Sequence, residues 1–221
     1  MTMPKVYISP SSQFSNVGLA PFTTEGAEMT IIGSTLMQLI VNDGRLSVKC
    51  SPPEMTDCYA KAKESNEFGA EIHVAIHSNA GGGEGTEVFA YGANTNSERL
   101  ATALYAQIAP LSPGEDRGVK FNHGLIEVGD CVKATSALIE LGFHDNAADA
   151  QWLVTDIQYI AKGLYHGICD YFGYEYRDQV SGASPVDKDI YLSVRVLQSK
   201  AVGAITNINA LGFAAKVLDL A

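Results

Sequence analysis

Apolar positions along the chain follow two rhythms that take turns. Short runs with strand character cover Lys5–Ser9, Leu46–Cys50, Glu71–Ser78, Thr86–Tyr91, Gly124–Val128 and Ala137–Gly142. The first ends at Pro10 and the polar Ser11-Ser12-Gln13, and the second is closed by Pro52-Pro53. The clearest is Glu71–Ser78, with Ile72, Val74 and Ile76 on one face and His73, Ala75 and His77 on the other. Helical spacing fills the intervals. Met29, Ile32, Leu36 and Ile40 mark a helix over Glu25–Asn42, which Thr24 can cap and Gly44 can end. Further helices are expected over Asp57–Phe68, Ser97–Ile108 and Asp156–Phe172, with a mixed loop running to about Phe121.

Strands alternating with helices predict an α/β fold: a twisted, mostly parallel sheet with helices on both faces. Sites in such sheets form outside the carboxyl ends of the strands. Gln13 follows the first strand, His77 ends the Glu71–Ser78 strand, and Glu140 stands near the end of Ala137–Gly142. Glu25 opens the first helix on that same side, so these residues are expected to share one crevice.

A change of module is expected near residue 177. Residues 1–176 hold 10 basic and 21 acidic residues, whereas residues 177–221 hold 5 and 4. Residues 177–188 are polar, with Gly, Ser and Pro, and read as a linker. Residues 189–221 read as one small β-α-β unit: strand Ile190–Leu197, helix Lys200–Leu211, strand Phe213–Leu218. A unit this small leaves too much apolar surface uncovered to stand alone, so it packs on the main domain or on a second copy.

The 221 residues are 46% hydrophobic and 18% charged, too apolar for a disordered chain. No apolar stretch approaches the roughly 20 residues of a membrane span. Met1 to Lys5 leads straight into a strand, without a basic segment and long apolar run, so synthesis in the cytoplasm without a signal peptide is expected. The net charge of −10 argues against a nucleic-acid partner. The four cysteines form no C-x-x-C pair and are expected to be free thiols.

The candidate chemistry has bland alternatives. His77, at a strand end before Gly81-Gly82-Gly83, is placed either to bind a metal or to sit hydrogen-bonded in the core. His73 lies deeper and reads as structural. Glu140, in the apolar frame ALIELGF, is a desolvated acid or base or a paired carboxylate. Glu25, in the first helical turn, is weaker by itself and favours the helix dipole without any function. Asn79 orients the loop that carries His77, or a substrate, or is a turn residue before Ala80-Gly81.

Four blocks, in order, resemble the zinc-dependent N-acetylmuramoyl-L-alanine amidases, which cut peptidoglycan. They are VYISPSSQ, TTEGAEM, AIHSNAGGGEGTEVF and ALIELGFHDN, and the likeness runs from Lys5 to about Tyr174. DRGVKFNHGLIEV, between the last two, also resembles the family. The resemblance implies Zn2+ held by a first-block histidine, Glu25 and His77, with Glu140 acting on the zinc-bound water. The bond implied joins the lactyl group of N-acetylmuramic acid to L-alanine of the stem peptide.

One position departs. Where the family has Gly-His-Gly, this chain has Ser11-Ser12-Gln13, and no histidine precedes His73. Gln13 is the expected replacement ligand through its amide oxygen, ahead of Ser12. Part of the family pairs SPSxQ with FHDN, as here, which makes His144 a substrate contact or compensating ligand, with His123 a further candidate. The C-terminal unit resembles half of a sporulation-related repeat, which implies glycan binding or a homodimer built from two halves. Together these features imply a wall hydrolase, either a phage endolysin or a mother-cell autolysin, reaching the wall after release. The rival readings are a non-catalytic peptidoglycan-binding protein and a zinc carboxypeptidase. The acidity of the chain gives no long-range attraction to an anionic wall.

Overall fold

The computed structural model describes residues 3–115 and 117–177. The expected linker over 177–188 lies, past Arg177, outside the described residues, as does the C-terminal unit over 189–221. Six strands form one sheet in the order β2-β1-β3-β6-β4-β5. They are β1 (Lys5–Pro10), β2 (Ser47–Cys50), β3 (Ile72–Asn79), β4 (Glu87–Ala90), β5 (Val119–Phe121) and β6 (Thr135–Phe143). All neighbours pair in parallel except β4 and β6, which run antiparallel. The α/β architecture expected from the alternation of patterns is the one observed.

The helices are α1 (Glu25–Asp43), α2 (Cys58–Phe68), α3 (Asn96–Ile108), α4 (Ala147–Thr155) and α5 (Ile157–Phe172). Strand alternation divides the interior. Val6, Ile8, Ile72, Val74 and Ile76 join Met29, Ile32 and Leu36 of α1, Leu100 and Leu104 of α3 and Leu164 of α5 in the main core. The opposite face carries Tyr7, His73, Ala75 and His77. There Ala75 packs with Val128 and Leu138, and the Tyr7 hydroxyl donates to Glu64 of α2 at 2.6 Å. One face is therefore a dry hydrophobic layer and the other holds buried polar groups.

Two expectations need correction. Gly124–Val128 is not a strand. It is a chain of turns in which Val128 N and Gly129 N both donate to Leu125 O, at 3.0 and 2.7 Å. Leu125 and Val128 bury themselves three residues apart, a spacing that suits a turn and not a pleat. The fifth strand is instead Val119–Phe121, inside the stretch read as loop, where it pairs along β4. Helix α4 was absent from the pattern. Its nine residues are too few to establish a period, but Asn146 caps it by accepting from Ala148 N and Asp149 N.

Three local devices position the site. Thr24 caps α1 through Ala27 N at 3.3 Å, and Glu28 holds Thr23 N and Oγ1 at 3.2 and 2.7 Å, so Glu25 enters the helix at a fixed angle. Gly81 and Gly82 adopt φ of 113° and 78°, which lets both amides donate to Asp145 Oδ2 at 2.7 and 2.9 Å. That ties the turn after β3 to the loop after β6. Between those strands the register shifts from His77↔Glu140 to Asn79↔Phe143, a bulge directly beside both residues.

Candidate active site

Four of the sequence-predicted residues converge at the carboxyl ends of β1 and β3. Glu25, only 1% exposed, accepts from His77: Nδ1 lies 2.9 Å from Oε1. The Gln13 side-chain nitrogen stands 3.3 Å from the same Oε1. Asn16 braces both, its amide nitrogen 2.9 Å from Gln13 Oε1 and 2.9 Å from Glu25 Oε2. Glu140 is the fourth member. It faces His77 across β3–β6 and Glu87 across β6–β4. Its Oε2 is buried with no hydrogen-bond partner, as is Nε2 of His77.

The electrostatics follow from this crowding. Burial pushes the Glu140 carboxyl up to about 7; His77 opposes that shift, and Glu25 and Glu87 reinforce it. Burial works against charge on His77, but Glu127, Glu25 and Glu140 outweigh it and raise the imidazole to about 10. Glu25 also suffers desolvation, and its contacts with His77 and Asn16 hold it below the ordinary carboxylate range all the same. The result is a charged Glu25–His77 pair next to a carboxyl that titrates near neutrality.

Other predicted residues lie beside this group and not in it. Asn79 donates to Glu87 Oε1 at 3.0 Å and accepts from Ala80 N, which is both a turn and a brace. Glu87 in turn pairs with Arg117 and Lys120. His144 is 4% exposed, meets Ser78 Oγ at 3.0 Å through Nδ1, and stacks on Phe22 with centroids 5.4 Å apart. His123 is exposed and leans on Tyr91. Ser12 stays half-buried. His73 is fully buried and stacked on Tyr7, with Nε2 3.2 Å from Glu127 Oε1. All four cysteines are free.

Glu127 was missed. It is 3% exposed, accepts from the Ser9 hydroxyl and from His73, and places Oε2 3.9 Å from His77 Nε2. The signal was present: a lone carboxylate inside the apolar run Leu125-Ile126-Glu127-Val128, the same feature that marks Glu140. Reading the run as a strand hid it.

Among the described residues no three His, Cys, Asp or Glu side chains are grouped so as to hold a metal ion. Glu25 and His77 supply two donors, and the third group in contact is the amide of Gln13. Zinc bonded at about 2.0–2.1 Å in tetrahedral geometry sets its donors ~3.3 Å apart. The 2.9 Å and 3.3 Å contacts around Glu25 Oε1 are close to that spacing, and turning the Gln13 amide over, which exchanges its bond from Asn16 for a bond to the metal, would aim its oxygen inward. The donor set fits zinc on those terms. Among the described residues no helix is long and apolar enough to cross a membrane.

Comparisons with known proteins agree with one another. The family described as N-acetylmuramoyl-L-alanine amidase matches residues 17–170. N-acetylmuramoyl-L-alanine amidase CwlM of Bacillus licheniformis is 29% identical over 181 residues, covering 77% of this chain and 69% of the relative. The sporulation-specific N-acetylmuramoyl-L-alanine amidase of Bacillus subtilis is 26% identical over 175 residues, covering 75% and 67%. Among solved structures, the amidase from Clostridium difficile 630 superposes with a TM-score of 0.69 at 22% identity, covering 78% of this chain and 98% of that one.

Proposed function

Because the chain belongs to the N-acetylmuramoyl-L-alanine amidase family, we propose that it hydrolyses the amide between N-acetylmuramic acid and L-alanine of the peptidoglycan stem peptide. The observation that carries this reading is the contact of Glu25 with His77 beside the buried, unpaired carboxylate of Glu140. Glu25, His77 and the amide oxygen of Gln13 are the residues that would hold a zinc ion. Such an ion lowers the pKa of a water and polarises the scissile carbonyl.

The chain's own residues do the rest. Asn16 restrains Glu25 by donating to its Oε2, so that donor keeps its place whatever the loop does. Glu140 takes a proton from the attacking water as the new C–O bond forms. It returns that proton to the departing amine nitrogen as the C–N bond breaks. A carboxyl near pH 7 is matched to both halves of this exchange. Asn79 and His144 are the residues assigned to contact the stem peptide. An amide oxygen is a weaker donor than imidazole, so zinc should be held less tightly than by a set with two histidines.

The enzyme would act at the bacterial wall, as a phage endolysin or as an autolysin of a lysing mother cell. Mass spectrometry of purified peptidoglycan after digestion, with and without a chelator, tests the reading. Stem peptides starting with L-alanine, lost on chelation and restored by zinc, are expected. Free single amino acids would identify a carboxypeptidase instead. No soluble product from protein that still pellets with the wall would identify a binding protein.

A further inference from the structure

An imidazole can offer a metal only one of its two nitrogens, so something must decide which. In His77, Nδ1 faces Glu25 at 2.9 Å, while Nε2 is buried with no hydrogen-bond partner. The acid nearest to Nε2 is Glu127, at 3.9 Å. Metal-ligating histidines characteristically give their second N–H to a carboxylate or carbonyl, which fixes the tautomer and raises ligand basicity.

Glu127 is held for that task from the far side. Its Oε1 accepts from the Ser9 hydroxyl on β1 and contacts His73 Nε2 at 3.2 Å on β3, so Oε2 is left to face His77. His73 is itself immobilised by stacking on Tyr7, with centroids 5.1 Å apart. A buried carboxylate is costly unless paired, and a well-packed apolar side chain would serve a merely structural role at least as well. We propose that Glu127 is a positioning residue that holds Nε2 of His77 and thereby commits Nδ1 to the metal, with Ser9 and His73 holding Glu127 in place. This rests on the zinc reading given above. It matters more in this chain than in one with two histidine ligands, because Gln13 contributes a weak donor and His77 is left as the only imidazole.

The test is zinc affinity of the full chain, measured by competition with a chromogenic chelator, beside thermal unfolding of the chelated protein. Glu127→Gln should raise the zinc dissociation constant about 10- to 100-fold. Glu127→Asp should recover part of that loss, and Ser9→Ala should raise the constant at least threefold. The unfolding midpoint of chelated Ser9→Ala should stay within a few degrees of the parent. An affinity within threefold of the parent for Glu127→Gln overturns the proposal. If Glu127→Gln does not fold, Ser9→Ala decides in the same way. A parent chain that releases stem peptides yet binds no zinc overturns the zinc reading, and this proposal with it, from the parent alone.

Discussion

Glu140→Gln should abolish hydrolysis and stabilise the fold, and the size of the second effect can be worked from the site. The carboxyl is raised from an ordinary 4.5 to about 7. A difference of about 2.5 pH units, at roughly 1.4 kcal/mol each, sets a ceiling of about 3.5 kcal/mol on the cost of carrying that charge in the native state. One oxygen is buried, but the residue as a whole keeps some contact with solvent, so about 1–2 kcal/mol is the expected value after solvent screening. With the native pKa raised, the cost is absent below the unfolded value near 4.5, grows as pH rises, and is complete above 7. Gln has the shape of the protonated acid and never ionises. Urea unfolding of the chelated protein should therefore find Glu140→Gln more stable than the parent by about 1–2 kcal/mol at pH 8, and by less than about 0.5 at pH 4.5. Release of stem peptides should fall by at least ~100-fold. A gain of equal size at both pH values, or no gain at pH 8, would refute the assignment of a desolvated, elevated carboxyl.

Wild-type activity should fall off as pH drops through about 7, following one ionisation, since only the deprotonated Glu140 can accept a proton; a rate that stays flat down to pH 5.5 would exclude it as the base. Gln13→His should tighten zinc at least tenfold and Gln13→Ala should loosen it, read by the same chelator competition; equal affinities would remove Gln13 from the ligand set. Asp149→Ala should cost about 3 kcal/mol in urea unfolding, because its buried Oδ2 accepts from Gly85 N and Phe143 N, both at 2.8 Å, and these amides would lose their partner.

Much of the site was legible in the chain. The strand-then-turn context of His77, the carboxylate in ALIELGF and the glutamate opening a capped helix each carry local chemistry that needs no partner to be seen. The topology rule for parallel sheets then predicts that Gln13, Glu25, His77 and Glu140 share one end of the sheet. Helix α1 was readable to within a residue because its cap, stripe and terminating glycine agree. Where local signals were few, reading failed: α4 is too short to show a period, and the short apolar run Leu125-Ile126-Glu127-Val128 mimics a strand although it folds as turns.

What only tertiary structure decided are relations between residues far apart in sequence. Whether Glu127 meets His73 and His77 depends on how a loop lies on the sheet, and a loop's path is set by packing and not by periodicity. Whether Glu140 is an active carboxyl or an ordinary paired one depends on which groups stand across β3 and β4, hence on strand order. The sequence by itself determined which residues could do chemistry and on which side of the sheet they emerge, because side-chain alternation and helix capping are local. The fold determined which of them touch, and therefore which carboxylates are neutralised and which are left unpaired, because desolvation and Coulomb interaction depend on distances that only the folded chain creates.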